Sequence, residues 1–363
     1  MKCLLSDIAE ITMGQSPKSE YYNTKGDGIP FLQGNRTFGK KYPIFDIYTS
    51  FVTKMAKAGD IIMSVRAPVG DLNITPIDIC LGRGVCGIRM KNGNQDFLFY
   101  LLKYYIPYLL NKESGTIFGS VNKKDISNLE IDIPESVKIQ QKISSILSIM
   151  DKKMEENEKI NKNLEEQVSA IYQSYFENFK FATEGKNQNW NYQEFSTIAH
   201  ISSGKRPQLN SKICNQKTPI PIVGATSVMG FTSEPNYNDK ILIIGRVGTH
   251  GIVQRITSPC WASDNTLVIT SPYYEFVNQI LHRIDYSSIN RGSTQPLITQ
   301  KDMKTLLVLV PNEKILMQFE EIASSLMAQC ELNKNENLQL FHLRDILLPK
   351  LMSGELDVSA LDI

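Results

Sequence analysis

The sequence predicts an α+β fold in which one folding unit occurs twice in tandem. Two stretches, 115–134 (GTIFGSVNKKDISNLEIDIP) and 292–311 (GSTQPLITQKDMKTLLVLVP), align without a gap and share a Gly, a Lys-Asp pair, a Leu and a final Pro. Other matching segments occur in the same order in both halves, separated by insertions of loop length. A helical pattern follows each copy. We therefore expect a pseudo-twofold duplication in which each unit ends in a long helix and the two helices form an antiparallel coiled coil.

Each copy also begins with the same pattern. Residues 5–17 (LSDIAEITMGQSP) match residues 195–207 (FSTIAHISSGKRP) at Ile, Ala, Ile, Gly and Pro. Runs such as IIMSV, ILIIG and NTLVIT are short, rich in β-branched residues and bounded by Gly, Pro, Asn or Asp, which is typical of strands. One amphipathic helix per copy is predicted, at 96–110 and 273–285. Each copy is therefore predicted to combine a mixed or antiparallel sheet with helices.

Two long helices are predicted, because the apolar period changes after Pro134 and again after Pro311. Apolar residues then recur every three to four positions, from 136 to about 179 in the first copy and from about 313 to 348 in the second. A helix of the first length cannot lie within a small domain, so its apolar stripe needs a partner, and the helix of the other copy can supply one. The residues predicted to line the seam between the helices are Ile143, Ile146, Met150, Leu164, Ile171, Phe319, Ile322, Leu326, Leu340 and Leu343.

The predicted segments alternate in charge. They are a first α+β domain at 1–134, a first helix with its linker at 135–185, a second α+β domain at 186–311, and a second helix with the C-terminal tail at 312–363. Their net charges are +3, −2, +5 and −5. Two basic domains joined by acidic helices favour a polyanion as the ligand of the domains. Ordinary variation between domains is the alternative explanation for differences of this size.

The composition indicates a globular protein of two or three domains, with 363 residues of which 42% are hydrophobic and 21% charged. Six cysteines show neither the spacing of a metal site nor that of a disulfide framework, which indicates a reducing compartment. Residues 1–10 lack the apolar run of a signal peptide, and no segment has the ~18 apolar residues of a membrane span. We therefore expect a cytoplasmic protein without a membrane partner.

Motifs for catalysis are incomplete wherever they occur. The segment SSGKRP at 202–207 contains a Gly-Lys pair but lacks the earlier Gly and the following Ser or Thr of a phosphate-binding loop. SPYY at 271–274 lacks the second Pro of an amino-methyltransferase motif, and EGK at 184–186 lies in a polar linker rather than on a strand. The histidines are far apart in the sequence. We therefore predict no catalytic, cofactor-binding or metal-binding residues in this chain.

Side chains suited to DNA recognition gather in the predicted loops. Arg, Lys, Asn, Gln, Ser and Thr read base edges in the major groove, and several of the same residues hold phosphates. The alignment places Arg66 opposite Arg246 beside Gly-rich turns, which predicts a shared phosphate-binding or scaffold role. For any single candidate, the ordinary polarity of an exposed loop is an equally good explanation. The DNA-binding candidates are Lys18, Gln33, Asn35, Arg36, Lys40, Lys41, Arg66, Thr116, Ser120, Asn122, Lys123, Lys205, Arg206, Arg246, Arg291, Ser293, Thr294, Gln295 and Thr299.

A family signal lies in the C-terminal phrase LRDILLPKLMSGEL at 343–356, in the domain openings MGQSP and SGKRP, and in the strand ends LEIDIP and LLVLVP. Over nearly its whole length the sequence resembles the specificity subunit of type I restriction–modification systems. The resemblance implies two target recognition domains, each binding one half of a bipartite, asymmetric site in double-stranded DNA.

The resemblance also implies the partners of the chain. The antiparallel helices are expected to act as a spacer on which methyltransferase subunits dock, two in number, and restriction/translocase subunits are expected to join the complex. S-adenosylmethionine, ATP and Mg²⁺ are then expected on those partner subunits, with none bound by this chain.

Two other functions fit parts of the sequence. A self-contained DNA modification enzyme would need its own cofactor-binding fold, and the incomplete motifs argue against it. A coiled-coil scaffold for protein interactions would use the α+β domains to bind proteins. A steep salt dependence of DNA affinity would distinguish a DNA-binding protein from such a scaffold.

Overall fold

A computed structural model describes residues 1–111, 119–177, 190–208, 210–248, 251–291 and 297–361. The chain divides into two compact units. Unit 1 comprises Met1–Asn157 and Asn335–Ile363, and unit 2 comprises Glu158–Lys334. Each unit therefore combines one α+β body with parts of both long helices. The domain boundaries expected from the sequence, after residues 134, 185 and 311, remain predictions.

Short strands and helices, two of which are long, make up more than half of the described residues. The strands are β1 (Lys2–Leu4), β2 (Ala9–Met13), β3 (Tyr22–Asn23), β4 (Ile29–Leu32), β5 (Tyr48–Thr49), β6 (Met55–Ala56), β7 (Ile61–Ser64), β8 (Leu72–Ile74), β9 (Ile79–Leu81), β10 (Val85–Met90), β11 (Glu130–Asp132), β12 (Asn191–Glu194), β13 (His200–Ser203), β14 (Ile220–Val223), β15 (Val228–Thr232), β16 (Ile241–Gly245), β17 (Val253–Ile256), β18 (Trp261–Ala262), β19 (Thr266–Thr270) and β20 (Leu307–Val310). The helices are α1 (Leu5–Ile8), α2 (Gln95–Asn111), α3 (Lys123–Ser127), α4 (Val137–Tyr172), α5 (Tyr274–Leu281), α6 (Gln300–Lys304) and α7 (Glu313–Met352). Within these described ranges, no helix has the length and apolar character needed to cross a membrane.

Unit 1 is built on a four-stranded antiparallel sheet with the strand order β2-β10-β7-β8. Helix α2 contributes Phe97 and Leu98 to the hydrophobic core that Ile61 and Ile88 of this sheet also enter. A second sheet, β3-β5-β4-β9-β6, contains the parallel pair β4 and β9. The first strand, β1, pairs antiparallel with the last, β11, so the body closes directly before helix α4 begins.

Unit 2 repeats this arrangement strand for strand in its main sheet. Its antiparallel order β13-β19-β16-β17 corresponds to β2-β10-β7-β8. The parallel pair β14 and β18 corresponds to β4 and β9, and the closing pair β12 and β20 corresponds to β1 and β11. The predicted tandem duplication of an α+β unit with mixed sheets is therefore confirmed.

The alignment of Arg66 with Arg246 is wrong by one residue. The amides of Val65 and Arg246 make the same hydrogen bond in their units, each to a carbonyl in the turn before β10 or β19, at 2.9 Å. Arg246 therefore occupies the position of Val65, and Arg66 occupies the position of Val247. Because side chains alternate along an extended chain, a shift of one residue directs the two arginines to opposite faces.

Two short helices lie where the sequence predicts loop. They are α3 and α6, and each contains the Lys-Asp pair of the repeated phrase. The side chains of Asn122 and Thr299 cap them by accepting hydrogen bonds from amides of the first turn. Asp125 and Asp302 complete each capping box by accepting from the cap residue's own amide. The repeated Lys-Asp phrase therefore encodes the start of a helix.

The two long helices pair antiparallel in unit 1. The Arg344 guanidinium of α7 binds the Asp151 carboxylate of α4 at 2.7 Å, and the Asn157 amide donates to Asn337 at 2.8 Å. Residue numbers thus rise along one helix as they fall along the other. The buried Tyr100 hydroxyl of α2 also donates to Asp151, at 2.7 Å. Burial raises the pKa of this hydroxyl far above its ordinary range, so it stays a donor that ties the α+β body to the helix.

The same antiparallel pairing occurs in unit 2. Asn333 of α7 donates to Asn161 of α4 at 2.8 Å, and both side chains are buried. Toward the end of α4, the rings of Tyr172 and Phe319 lie edge to face with their centroids 5.8 Å apart. Buried Asn pairs in a helix seam lower stability but specify which residues face each other. The predicted antiparallel pairing of the helices is confirmed in each unit.

A buried group of charges ties the unit 2 sheet to helix α7. Arg255 of β17 binds Glu275 at 2.5 Å and Glu331 of α7 at 3.3 Å. Glu275 is 2% exposed. Burial raises the pKa of Glu275 to about 7, even though the Arg255 charge acts to lower it. The arrangement holds the strand against the helix through one guanidinium shared by two carboxylates.

The seam between the helices includes a slightly different set of residues from the predicted one. Ile322 and Leu343 are 40% and 44% exposed, whereas Ala323 is fully buried. The predicted stripe follows a 3.5-residue repeat, and a straight helix drifts by about 20° per heptad relative to that repeat. Of the other predicted seam residues, Ile143 and Phe319 are buried, and the half-buried ones are Ile146, Met150, Leu164, Ile171, Leu326 and Leu340.

We predict that Val168→Asp lowers the free energy of unfolding by about 3–5 kcal/mol, because it places an unpaired charge at a fully buried position of α4. Ile322→Asp, on the exposed side of α7, is expected to change it by less than about 0.5 kcal/mol. Urea denaturation followed by circular dichroism measures both values. An equal loss of stability in the two variants would contradict this assignment of the seam.

Candidate nucleic-acid interface

Backbone hydrogen bonds gather four separate segments at one end of the main sheet of unit 1. The amide of Gly84 donates to the Gln33 carbonyl, and the amide of Val65 donates to the Gly84 carbonyl, both at 2.9 Å. The amide of Val121 then donates to the Val65 carbonyl at 2.9 Å. We call the resulting surface loop surface 1, which comprises residues 33–37, 65–68, 82–84 and 119–123. It contains seven of the predicted DNA-binding candidates.

Two arginines of loop surface 1 present their charge to solvent. Arg66 is exposed, and its backbone pairs with that of Ser120 on the neighbouring segment in an isolated antiparallel β-bridge. Arg83 is exposed as well, and its amide donates to the Ser16 hydroxyl at 3.2 Å. Neither guanidinium forms an ion pair with any residue in the described ranges. Arg83 is not among the candidates predicted from the sequence, although it lies between two glycines directly before β10.

Two other candidates of this surface already bind acidic side chains. The Asn35 amide donates to Asp71 at 2.7 Å, and the Arg36 guanidinium binds Asp46 at 2.5 Å. Both pairs are partly exposed to solvent, so they are weak and reversible. Asn35 and Arg36 are therefore oriented by their carboxylate partners, while Gln33 is exposed beside them.

Lys41 lies outside loop surface 1, and its side chain binds helix α4. Its ammonium contacts the Glu155 carboxylate at 2.7 Å, with 19% of the lysine side chain exposed. Burial acts to lower the pKa of Lys41, but the hydrogen bond and charge of Glu155 hold it above its ordinary value. Lys18 faces Glu20 at 3.8 Å on the surface, and Lys40 is exposed. The structure therefore gives Lys41 a role in fastening the body to its helix.

In the segment that leads into α3, one candidate side chain caps the helix and two others face solvent. The Asn122 side chain caps the helix by accepting from the amides of Lys124 and Asp125, at 2.8 and 3.1 Å. Ser120 and Lys123 are exposed on either side of it. Lys123 therefore presents its charge on the same loop surface as Arg66, while Asn122 fixes the backbone before α3.

Unit 2 gathers the counterparts of three of these four segments in the same way, together with the segment that follows β13. The amide of Ser263 donates to the Val223 carbonyl at 3.0 Å, and the amide of Lys205 donates to the Ala262 carbonyl at 2.9 Å. The Arg246 carbonyl accepts from the amide of Ile298 at 3.0 Å. We call this loop surface 2; it comprises residues 204–206, 223–229, 246–248 and 263–265. Lys205 and Arg206 are exposed on it.

Of the two remaining arginine candidates in unit 2, Arg246 is half-buried and Arg291 is exposed but held in an ion pair. The Nε of Arg246 is buried without a hydrogen-bond partner in the described residues. Arg291 binds the buried Asp302 carboxylate, which Thr299 also contacts. Burial acts to raise the pKa of Asp302, but the hydrogen bonds from Thr299 and Arg291 hold it below its ordinary value. Arg291 and Thr299 therefore stabilise the start of α6.

Four candidates fall outside the described residues, and their part in an interface stays a prediction: Thr116, Ser293, Thr294 and Gln295.

Comparison with known families decides what kind of protein carries these two surfaces. Residues 2–166 and 187–341 each match the family model described as the type I restriction modification DNA specificity domain. The chain belongs to this family. The two matched segments cover the two α+β bodies together with most of both helices, so the specificity domain as the family defines it includes the helix that follows each body.

Individual relatives agree with the family. The chain is 40% identical over 158 residues to a putative type I restriction enzyme MjaX specificity subunit of Methanocaldococcus jannaschii, an alignment that covers 42% of this chain and 37% of that protein. It is 25% identical over 407 aligned positions to the MjaIX specificity subunit of the same organism, covering 98% and 93%. Among solved structures, the S subunit of a type I restriction–modification system from M. genitalium is similar in fold, with a TM-score of 0.64, 18% identity, and coverage of 97% and 96%.

We predict that Arg66→Ala and Arg83→Ala each weaken DNA binding and reduce the slope of log affinity against log salt concentration by about 1, because each removes one phosphate contact. Lys41→Ala is the matched control: it removes a cation that binds Glu155, so it should lower the melting temperature and leave the slope unchanged. Fluorescence anisotropy at several salt concentrations gives the slopes. A reduced slope in Lys41→Ala with none in the two arginine variants would contradict the location of the interface.

Proposed function

We propose that each specificity domain of this chain binds one half of a bipartite, asymmetric site in double-stranded DNA. The observation that carries the proposal is that both units build the same backbone at their loop surfaces and place different side chains on it. Arg66 stands where unit 2 has Val247, and Arg246 stands where unit 1 has Val65. One scaffold with different side chains would read two different half-sites by the same mode of approach.

We further propose that the paired helices dock methyltransferase subunits, one for each unit. Large apolar side chains remain exposed along the helices, which marks surfaces for protein partners. In unit 1 these include Ile149, Leu338 and Ile346, and in unit 2 Ile160, Met317 and Leu332, all between 41% and 62% exposed. Restriction/translocase subunits would join through the assembled complex. Such a complex would act on the host's DNA in the cytoplasm.

Catalysis is assigned to the partners in this proposal. The chain supplies binding and positioning, while S-adenosylmethionine, ATP and Mg²⁺ are bound by the other subunits. The incomplete nucleotide and methyltransferase motifs of the sequence support this division. A self-contained modification enzyme would instead bind S-adenosylmethionine itself, and an interaction scaffold would bind DNA weakly at every salt concentration.

Equilibrium dialysis tests the division of labour directly. We predict that the purified full-length chain binds no S-adenosylmethionine above background, because the cofactor belongs to the methyltransferase partner. The control is the same measurement after the methyltransferase subunit is added. Binding of one cofactor per specificity chain in the absence of partners would make this chain an enzyme.

Domain replacement tests the reading of half-sites. We predict that exchanging residues 1–134 for the corresponding domain of a related specificity subunit changes one half of the methylated sequence and leaves the other half unaltered. The reciprocal exchange of residues 186–311 is the matched control and should alter only the opposite half. Sequencing methylated positions in cells that express each hybrid gives the answer. A change in both halves after a single exchange would contradict independent reading.

A further inference from the structure

The hairpin formed by β14 and β15 exposes two large apolar side chains at its tip. Val228 and Met229 are 52% and 54% exposed. In the strand register, Val223 faces Val228 while Ile222 faces Gly230, so Met229 is the additional residue of a β-bulge. A bulge changes the direction of the side chain that it carries, and such features recur next to functional sites.

Hydrogen bonds fix the backbone of the tip, and the methionine side chain packs against that backbone. The amide of Gly224 donates to the Ser227 carbonyl at 2.8 Å, which closes the turn. The Gln254 side chain donates to the Gly224 carbonyl, also at 2.8 Å, and anchors the turn to β17. A Cβ atom at Gly224 would lie 2.4 Å from the Met229 sulfur, so the thioether rests against bare backbone. The Met229 thioether therefore packs against the turn, while about half of the side chain stays exposed.

The tip belongs to loop surface 2 and shares it with charged residues. Val223, the strand partner of Val228, accepts a hydrogen bond from the amide of Ser263 at 3.0 Å. The adjoining segments carry the exposed cations Lys205 and Arg206 and one exposed acid, Asp264. The two apolar side chains of the tip therefore share loop surface 2 with two exposed cations.

We propose that Val228 and Met229 read the methyl group of a thymine in the half-site bound by the second specificity domain, an inference that rests on the DNA-binding function proposed above. Thymine presents its 5-methyl group in the major groove, where it is the apolar feature among the base edges, and apolar side chains recognise it there. A tip of two residues matches one methyl group in size. It is far smaller than the ~800 Å² per partner that a stable protein–protein interface buries.

Uracil substitution isolates this contact, because uracil pairs as thymine does and lacks only the methyl group. Duplexes that bind the full-length chain are first selected from a randomised library, and each thymine of the selected site is then replaced by uracil, one at a time. We expect one replacement to weaken binding of the unaltered chain about fourfold, the effect of burying one methyl group. Met229→Ala should bind the thymine and uracil duplexes equally well, with its salt slope unchanged.

Two further variants complete the experiment. Met55→Ala removes a methionine that is 38% exposed on strand β6 of unit 1, so it should keep the full penalty for uracil. Val228→Ser removes both methyl groups of the exposed side chain and adds a hydroxyl, so it should reduce the penalty without altering the melting temperature.

The outcomes separate this inference from the function beneath it. If the unaltered chain shows no salt-dependent, sequence-selective binding, the proposed function itself fails. If it binds selectively but no uracil replacement weakens binding, or if the selected site lacks thymine, the inference alone is overturned. It is equally overturned if Met229→Ala retains the full penalty for uracil.

Discussion

The pairing of the first strand with the last strand of each α+β body is the interaction on which the rest of its structure depends. In unit 1 the amide of Leu5, just after β1, donates to the Leu129 carbonyl at 2.9 Å, and in unit 2 Phe195 makes the same bond to Leu306 at 2.8 Å. This pairing brings the two ends of a body together and places the start of its long helix a few residues beyond the last strand. The phrase repeated half a chain apart encodes this closure, because it contains the capped short helix, the closing strand and the proline before the long helix.

In a body closed in this way, folding and recognition depend on different chemical groups. The hydrogen bonds that gather the loop surfaces join backbone amides to backbone carbonyls, and these groups are the same whatever the side chain. Side chains at equivalent positions can therefore differ without loss of the scaffold, as Val65 and Arg246 do. The paired helices follow the opposite principle. Their buried pair Asn161 and Asn333 depends on particular side chains, because a polar seam fixes register only when each partner is present.

The sequence predicted the features that depend on local pattern. Strand and helix periods are visible within a dozen residues, so the duplication, the sheet-rich bodies and the long helices were all identified. It could not predict the equivalence of Arg66 and Val247, because a one-residue shift inside a poorly matching stretch leaves no trace in the alignment. It also placed Ile322 in the seam, where the true helical repeat favours Ala323. The Lys-Asp pair shared by the two copies indicated a common segment. The pair alone does not predict that this segment begins a helix.

Long-range ion pairs explain why the predicted binding residues sort into two groups. Lys41 binds Glu155 and Arg291 binds Asp302, and in each pair the carboxylate is distant in sequence or belongs to a capping box that local reasoning did not recognise. These cations bind carboxylates of their own unit, which partly neutralises their charge. The exposed cations of the two loop surfaces that have no such pair among the described residues are Arg66, Arg83, Lys123, Lys205 and Arg206.

A surface with few cations limits what electrostatics can contribute to binding. If each of these five side chains neutralises one phosphate, together they contribute about −4.5 to the salt slope, roughly half the slope of a strongly salt-dependent repressor. Affinity at physiological salt then has to come from base contacts and from DNA contacts made by docked partner subunits. The two proposed roles of the chain are therefore linked. Loop surfaces with so few cations can select a sequence, and the apolar residues exposed along the helices would recruit the subunits that hold the duplex in place.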